Sequence, residues 1–285
     1  MQQRKISAVE VSAIGLGAMP LSVAGHMPDE EHAMRAIHAA LDAGVTLIDT
    51  ADAYTPDPDL VGHNERLIAT ALASYPGDVS DVLVATKGGH TRTRRGWGLD
   101  GSPKHLRSAC DASLKALGID AIGLYQFHRP DPKVPFAESV GALAELLDAG
   151  KIRMAGISNA NEVQIRVAQE VLNGRLASVQ NQFSPRFRSS EPELQLCTEM
   201  GVAFLPWSPL GGIGQAVALG TRRYAAFAEL AVIHGVSPQR LCLAWLLAQS
   251  PVVIPIPGAS RPQTIRDSVA AVDLVLSPEE LARLS

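Results

Sequence analysis

The feature that most narrows what this chain can fold into is its alternation of apolar, strand-like runs with amphipathic, helix-like segments from one end to the other. Eight strand-like runs stand out: IGLGAM at 14–19, TLIDT at 46–50, DVLVATK at 81–87, IGLYQFH at 122–128, IRMAGIS at 152–158, SVQNQ at 178–182, VAFLPW at 202–207 and VVIPIP at 252–257. Most are continuously apolar rather than alternating, as expected of strands buried on both faces. Strand and helix in strict succession predict a parallel sheet covered by crossover helices. Eight such units predict an α/β fold of the (β/α)8 TIM barrel type, and one domain of 285 residues lies within the size range of such barrels.

The helix boundaries carry recognisable signals. Ser102 and Pro103 open KHLRSACDASLKALG and Gly118 closes it, while Ser237 and Pro238 open QRLCLAWLLAQS in the same way. Asp29 precedes a helix ending at Gly44, and a further helix spans Glu138 to Asp148 before Gly150. Residues 1–13 lie outside the repeat and read as a short β-hairpin, with Val9 and Val11 alternating against polar neighbours, placed to plug the bottom of the barrel. The longest irregular stretches, 51–64, 88–102, 129–135, 183–191 and 208–221, all follow strands. In an eight-stranded barrel that side carries the active site.

Composition restricts the class of partner. With 46% hydrophobic residues the chain has ample material for a large core, and a formal net charge of −4 argues against nucleic acid or an anionic membrane surface. A small-molecule partner is expected, and a monomer or weak oligomer. Cys110, Cys197 and Cys242 are isolated, so reduced structural thiols are expected and neither a disulfide framework nor a metal site is indicated. MQQRKISAVEVSAIGLG has no continuous apolar core after its basic residues, and no run of about eighteen apolar residues occurs. Cytoplasmic residence is the expectation.

At the ends of strands two, three and four stand an acid, an ammonium and an imidazole. Asp49, Lys87 and His128 are spaced 38 and 41 residues apart, about one βα unit each, and Tyr54 follows Asp49 closely. Singly, each has an ordinary reading: a cap, a loop tyrosine, a solvated strand end, a satisfied histidine. Together on one rim they suit proton transfer to a substrate oxygen. An ammonium about 4 Å from the phenol contributes on the order of 4 kcal/mol at an effective dielectric near 20, which is expected to bring the phenol toward neutral pH. Asp49 would keep Lys87 charged, and His128 would polarise a carbonyl or relay a proton.

Along nearly its whole length the chain resembles the aldo-keto reductase family. The likeness is carried by GVTLIDTADAY at 44–54, VATK at 84–87, LYQFHRP at 124–130, AGISN at 155–159, VQNQFS at 179–184, WSPLGG at 207–212 and IPGASRP at 256–262. It implies a (β/α)8 barrel that reduces carbonyls with NADPH, with NADH as the less favoured cofactor, and it makes Asp49, Tyr54, Lys87 and His128 the catalytic tetrad with Tyr54 as general acid. By the same likeness Ser158, Asn159 and Gln180 hold the nicotinamide carboxamide, Trp207 stacks on the ring, and Ser208, Leu210 and Gly212 wrap the pyrophosphate. Asn159 also reads as an N-cap for a helix over 161–173.

The match thins at the adenosine end. Gly258 and Thr264 stand where family members often carry Lys and Arg, leaving Ser260 and Arg261 as the substitutes for gripping a 2′-phosphate, and Asp267 and Ser268 fall where the adenine amino group is usually held. Arg129, together with Trp97 in the loop after strand three, is the candidate substrate contact, and Arg129 would favour a polar or anionic substrate. The eleven residues 55–65 replace a shorter loop, so the rim near Tyr54 is expected to be reshaped. The sequence ends with SPEELARLS, and an open, loosely selective pocket is expected. A non-enzymatic NADP(H)-sensing partner with the same barrel is the alternative. A metal-dependent hydrolase lacks the His and Asp cluster it would need.

Overall fold

The computed structural model describes all residues except Ala24, His26, Ile213, Arg222, Arg223 and Ser285. Ile213, inside the stretch read at 208–221, and Ser285, which ends the terminal segment, therefore lie outside the described residues.

The chain opens with the expected hairpin, β1 (Gln3–Ile6) antiparallel to β2 (Val9–Ser12). Burial along β2 follows position rather than alternation: Val9, next to the turn, is exposed, whereas Val11 is fully buried, as is Ile6 of β1. Both join one apolar cluster with Leu47, Leu83, Leu124, Met154 and Ala177, which come from the first halves of the strands. The hairpin thus covers the end of the sheet opposite the strand termini that carry the site.

The elements that follow are β3 (Leu16–Gly17), α1 (Glu30–Asp42), β4 (Leu47–Asp49), α2 (His63–Ser74), β5 (Leu83–Gly88), β6 (His90–Thr93), β7 (Gly96–Leu99), α3 (Pro103–Leu117) and β8 (Ile122–Phe127). Then come α4 (Phe136–Asp148), β9 (Ile152–Ser158), α5 (Glu162–Val171), β10 (Leu176–Gln180), α6 (Glu191–Met200), β11 (Ala203–Phe204), α7 (Ala225–His234), α8 (Pro238–Gln249), α9 (Pro262–Val269) and α10 (Pro278–Leu284). Seven strands form one parallel sheet in the order β3, β4, β5, β8, β9, β10, β11. Consecutive strands of this sheet are neighbours throughout, in keeping with the preference for short connections.

The eighth strand-like run, 252–257, forms no regular strand. Ile254 and Ile256 donate their N–H groups to the carbonyls of Phe204 and Pro206, and the carbonyls of Pro255 and Pro257 accept from Gly15 and Gly17. Pro255 and Pro257 have no N–H to return toward β3, so half of that ladder is missing. The run still bridges both sheet edges, Val253 to Phe204 and Gly258 to Gly17, an arrangement consistent with a (β/α)8 barrel. Gly17 sits at the tightest point of this seam: a Cβ there would lie 2.6 Å from the carbonyl oxygen of Ile256. Only glycine lets the two backbones approach so closely.

Helix signals in the sequence hold at α1, α3 and α8. The Asp29, Ser102 and Ser237 side chains accept from the N–H groups of His32, His105 and Arg240, and Gly118 closes α3 with φ 67°. Each such N-cap is worth about 1 kcal/mol. Two expectations need correction. Helix α4 begins at Phe136, two residues ahead of Glu138, because Pro135 sets its first turn. Residues 88–102 are not irregular but contain the hairpin β6–β7, with Arg92 paired to Trp97 and its guanidinium 4.2 Å from the Trp97 ring centre. Its charged, solvent-facing sequence carries no apolar run, so the strands were hidden from a hydropathy reading. Among the described residues no single helix is long and apolar enough to cross a membrane.

Candidate active site

The parallel register brings the ionisable residues to one rim. Asp49 ends β4, Lys87 is the penultimate residue of β5, and His128 follows β8 with its N–H on the Gly88 carbonyl at 2.9 Å. Tyr54 comes from a loop, and buried hydrogen bonds hold that loop still. Asp52 N–H donates to the Lys87 carbonyl, Gly62 N–H to the Asp52 carbonyl and Asn64 N–H to the Tyr54 carbonyl. Asn64 also accepts from Thr50 Oγ1 at 2.6 Å and donates to the Ala18 carbonyl and Ser22 Oγ. Beside it the buried Glu65 accepts from Thr86 Oγ1 at 2.6 Å. The lengthened 55–65 segment therefore ends in two buried polar residues that anchor the Tyr54 loop to the barrel.

Lys87 is fully buried, and all three of its N–H groups are used: on Asp49 Oδ2 at 2.7 Å, the Thr50 carbonyl at 2.8 Å and the Tyr54 hydroxyl oxygen at 3.3 Å. The other Asp49 oxygen accepts from Gln180 Nε2 at 2.7 Å. Burial alone would push the Lys87 ammonium toward losing its proton, but Asp49 and Tyr54 outweigh it and hold the group above its ordinary value. Tyr54 departs from the expectation that Lys87 would bring its phenol down. Burial is the larger influence and, with Asp49 adding to it, leaves the phenol above 10.0 despite Lys87. The phenol is thus a loaded proton donor across the physiological range. His128 is pushed well below 6.5 by burial first, then by Lys87, His90 and Arg129, so its ring is neutral.

Asp49, Tyr54 and His128 line a cleft of about 440 Å³, within the range of small-molecule sites. Ser158, Asn159, Gln180 and Trp207 line it too, from the ends of β9 and β10 and the turn after β11, and so do Ser208, Leu210, Gly212, Gly258 and Ser260. Ser158 Oγ donates to the Gln180 carbonyl at 2.7 Å, and Asn159 Nδ2 donates to the His128 carbonyl and Ser158 Oγ. Asn159 does not cap the next helix. It adopts φ 59° and turns back to the rim, while Asn161 and Gln164 form a reciprocal capping box on α5, which starts at Glu162 and ends at Val171.

Both candidate substrate contacts border the cleft. Trp97 is partly exposed on β7, and Arg129 donates to Asn159 Oδ1 at 3.0 Å. Arg261, Thr264, Asp267 and Ser268 are not part of the lining: Arg261 precedes α9 and the other three lie on it. Asp267 is engaged elsewhere, accepting from Arg240 Nε at 3.1 Å, from Arg240 Nη2 at 2.8 Å and from Ser237 Oγ. Sequence reasoning missed His90, whose ring centre is 4.3 Å from that of His128. The signal was its place three residues after Lys87, just past the end of the same strand. It also missed Met19, Pro20 and Ala259, apolar residues without a chemical signature.

Comparison with known proteins shows the family. Residues 13–285 match the profile of the Aldo/keto reductase family. An uncharacterised oxidoreductase of Schizosaccharomyces pombe is 34% identical over 98% of this chain and 88% of its own length. A thermostable aldo-keto reductase solved with the inhibitor epalrestat superposes with a TM-score of 0.84 at 28% identity, covering 100% of this chain and 98% of that one. A Klebsiella pneumoniae aldo-keto reductase solved with NADPH gives 0.81 at 26% identity, covering 100% and 94%. A parallel sheet ending in Asp49, Lys87 and His128 around Tyr54, with a profile match from the first barrel strand to the terminus, places this chain in the aldo-keto reductase family.

Proposed function

We propose that this protein is an NADPH-dependent oxidoreductase that reduces a small aldehyde or ketone to the alcohol, with Tyr54 as general acid. The observation that carries the reading is the buried Lys87 ammonium, whose N–H groups are divided among Asp49, Thr50 and Tyr54. Because Lys87 donates to the phenol oxygen, the Tyr54 O–H remains to donate into the cleft. A carbonyl oxygen there receives hydrogen bonds from Tyr54 and from neutral His128. As it takes the Tyr54 proton, the charge left on the phenol oxygen faces Lys87, while Asp49 keeps that ammonium charged and oriented.

The residues present fit a nicotinamide dinucleotide. Gln180 gives its amide N–H to Asp49 and keeps its oxygen as an acceptor for a carboxamide. Asn159 is held at the rim by His128 and Ser158, Trp207 supplies an aromatic wall, and Gly211 and Gly212 take positive φ in a loop of small residues where backbone can approach phosphate. When bound, the cofactor supplies the hydride. We assign Ser260 and Arg261 to the 2′-phosphate, since a guanidinium grips phosphate in bidentate fashion, and this favours NADPH over NADH. Asp267, committed to Arg240 and Ser237, is assigned to the α8–α9 junction instead of the adenine.

The test is Tyr54→Phe, with NADPH oxidation followed across a panel of aldehydes and ketones and NADPH binding followed by fluorescence. Turnover is expected to fall by about 10²–10⁴ with binding unchanged. Retained turnover with normal binding overturns the assignment, and wild-type binding without oxidation of any carbonyl would favour a cofactor-sensing role.

A further inference from the structure

We propose that His90 is a specificity-determining residue that accepts a hydrogen bond from a hydroxyl on the carbon next to the reacting carbonyl, so that the substrates are hydroxyaldehydes and hydroxyketones. The inference rests on the reading of Tyr54 as general acid and names the substrate class of that site. His90 lines the same cleft as Tyr54 and His128, and its ring meets that of His128 edge to face at 84° with centres 4.3 Å apart. A substituent on the carbon next to a carbonyl held against Tyr54 and His128 therefore lies within reach of this second imidazole.

The polarity of each ring follows from its partners. His90 Nδ1 lies 3.2 Å from the Gly98 carbonyl, which can only accept, so Nδ1 carries the proton and Nε2 the lone pair. Burial, opposed by the Gly98 contact but reinforced by Arg129 and Lys87, pushes His90 below 6.5 and keeps that lone pair free of a second proton. His128 is the reverse case. Its Nδ1 is buried with no hydrogen-bond partner among the described residues, where a bare acceptor is tolerated better than an N–H, so its proton sits on Nε2. The rim therefore sets an imidazole donor and an imidazole acceptor side by side.

A carbonyl oxygen answers the donors Tyr54 and His128 but has nothing for His90, and neither does a carboxylate or an alkyl group. A hydroxyl has the proton His90 requires. Trp97 packs edge-on against His90 with ring centres 5.4 Å apart, and Arg92 lies over Trp97, so β6–β7 holds the ring and, through Gly98, its tautomer. An unhydroxylated substrate would dry Nε2 without replacing its water, a cost that discriminates against it.

The experiment measures kcat/KM with NADPH for glyceraldehyde against propanal and for hydroxyacetone against acetone, in wild type, His90→Phe and His90→Asn. His90→Phe is expected to lower kcat/KM for the hydroxylated member of each pair by about tenfold and to leave the other within about twofold, while His90→Asn, whose amide oxygen accepts, recovers part of the loss. An unchanged ratio, or an equal fall for both members, overturns the proposal by reducing His90 to packing against His128. Should His90→Phe fail to fold, His90→Asn against wild type decides on the same ratio, which must lie between parity and the wild-type preference. A wild type that shows no preference within either pair, yet reduces carbonyls in a Tyr54-dependent way, sinks the hydroxyl assignment alone. Absence of NADPH oxidation with every carbonyl sinks the reductase reading with it.

Discussion

Replacing Lys87 with Met would strike two functions at once, and the structure lets them be separated. The Lys87 nitrogen is 3.3 Å from the Tyr54 oxygen. At an effective dielectric of about 20, an ammonium and a full phenolate at that distance attract by about 5 kcal/mol. With the proton about half transferred at the transition state, about 2.5 kcal/mol is lost, a fall in kcat of roughly 70-fold. The same substitution strands Asp49, 3% exposed and left with the Gln180 amide as its near donor, which is expected to cost about 3–5 kcal/mol of stability. Adding Asp49→Asn removes the stranded charge while preserving an oxygen for Gln180. Urea denaturation should therefore show a large loss in Lys87→Met and a much smaller one in the double variant, whereas kcat stays low in both. If Lys87→Met destabilises equally with and without the Asp49→Asn change, the ion pair is not what the lysine is for. A folded double variant with wild-type kcat would refute the phenolate argument.

Two further outcomes follow from buried groups. Asp52 is pushed well above 3.8 by burial first and by Glu65 second, and its Oδ1 has no partner among the described residues. The native state then holds a proton that the unfolded chain has released, so stability falls as pH rises from about 4 through the raised native value. Asp52→Asn does not titrate; its stability relative to wild type should rise between pH 4.5 and pH 8 in urea denaturation, and a pH-independent difference would contradict the assignment. At the barrel seam, Gly17→Ala places a methyl 2.6 Å from the Ile256 carbonyl, expected to cost about 1–3 kcal/mol and to lower the calorimetric Tm; an unchanged Tm would show that the seam yields freely.

Much of the fold was legible because its strands are buried on both faces and its helices on one, so burial is written as hydropathy period. The runs at 46–50, 81–87 and 152–158 fall where β4, β5 and β9 are. Where that link between period and burial breaks, the reading failed. Hairpin β6–β7 is half exposed and charged, and 252–257 is apolar yet lacks the donors of a strand because of its prolines. At the site, residue types at and just after strand ends picked out Asp49, Tyr54, Lys87 and His128, which the structure brings to one cleft or beside it, while His90 went unnoticed because one histidine in a polar stretch looks like any other. Arg261, Thr264, Asp267 and Ser268 fall on or beside α9, outside the cleft lining, where neither strand ends nor cleft geometry speaks for them.

By itself the sequence determined the succession of units, the helix caps at Asp29, Ser102 and Ser237, and the side of the sheet on which chemistry would sit, since all of these depend on local period and spacing. The tertiary structure decided which groups touch and how water is excluded from them. Tyr54 illustrates the difference. Its proximity to Lys87 could be anticipated from spacing, but the balance between that ammonium and burial is set by every neighbour that displaces solvent, and burial prevails. The same holds for the tautomers of His90 and His128, which depend on a carbonyl of β7 and on an enclosed nitrogen with no partner among the described residues. Desolvation and hydrogen-bond polarity are properties of an assembled surrounding, and no stretch of sequence contains them.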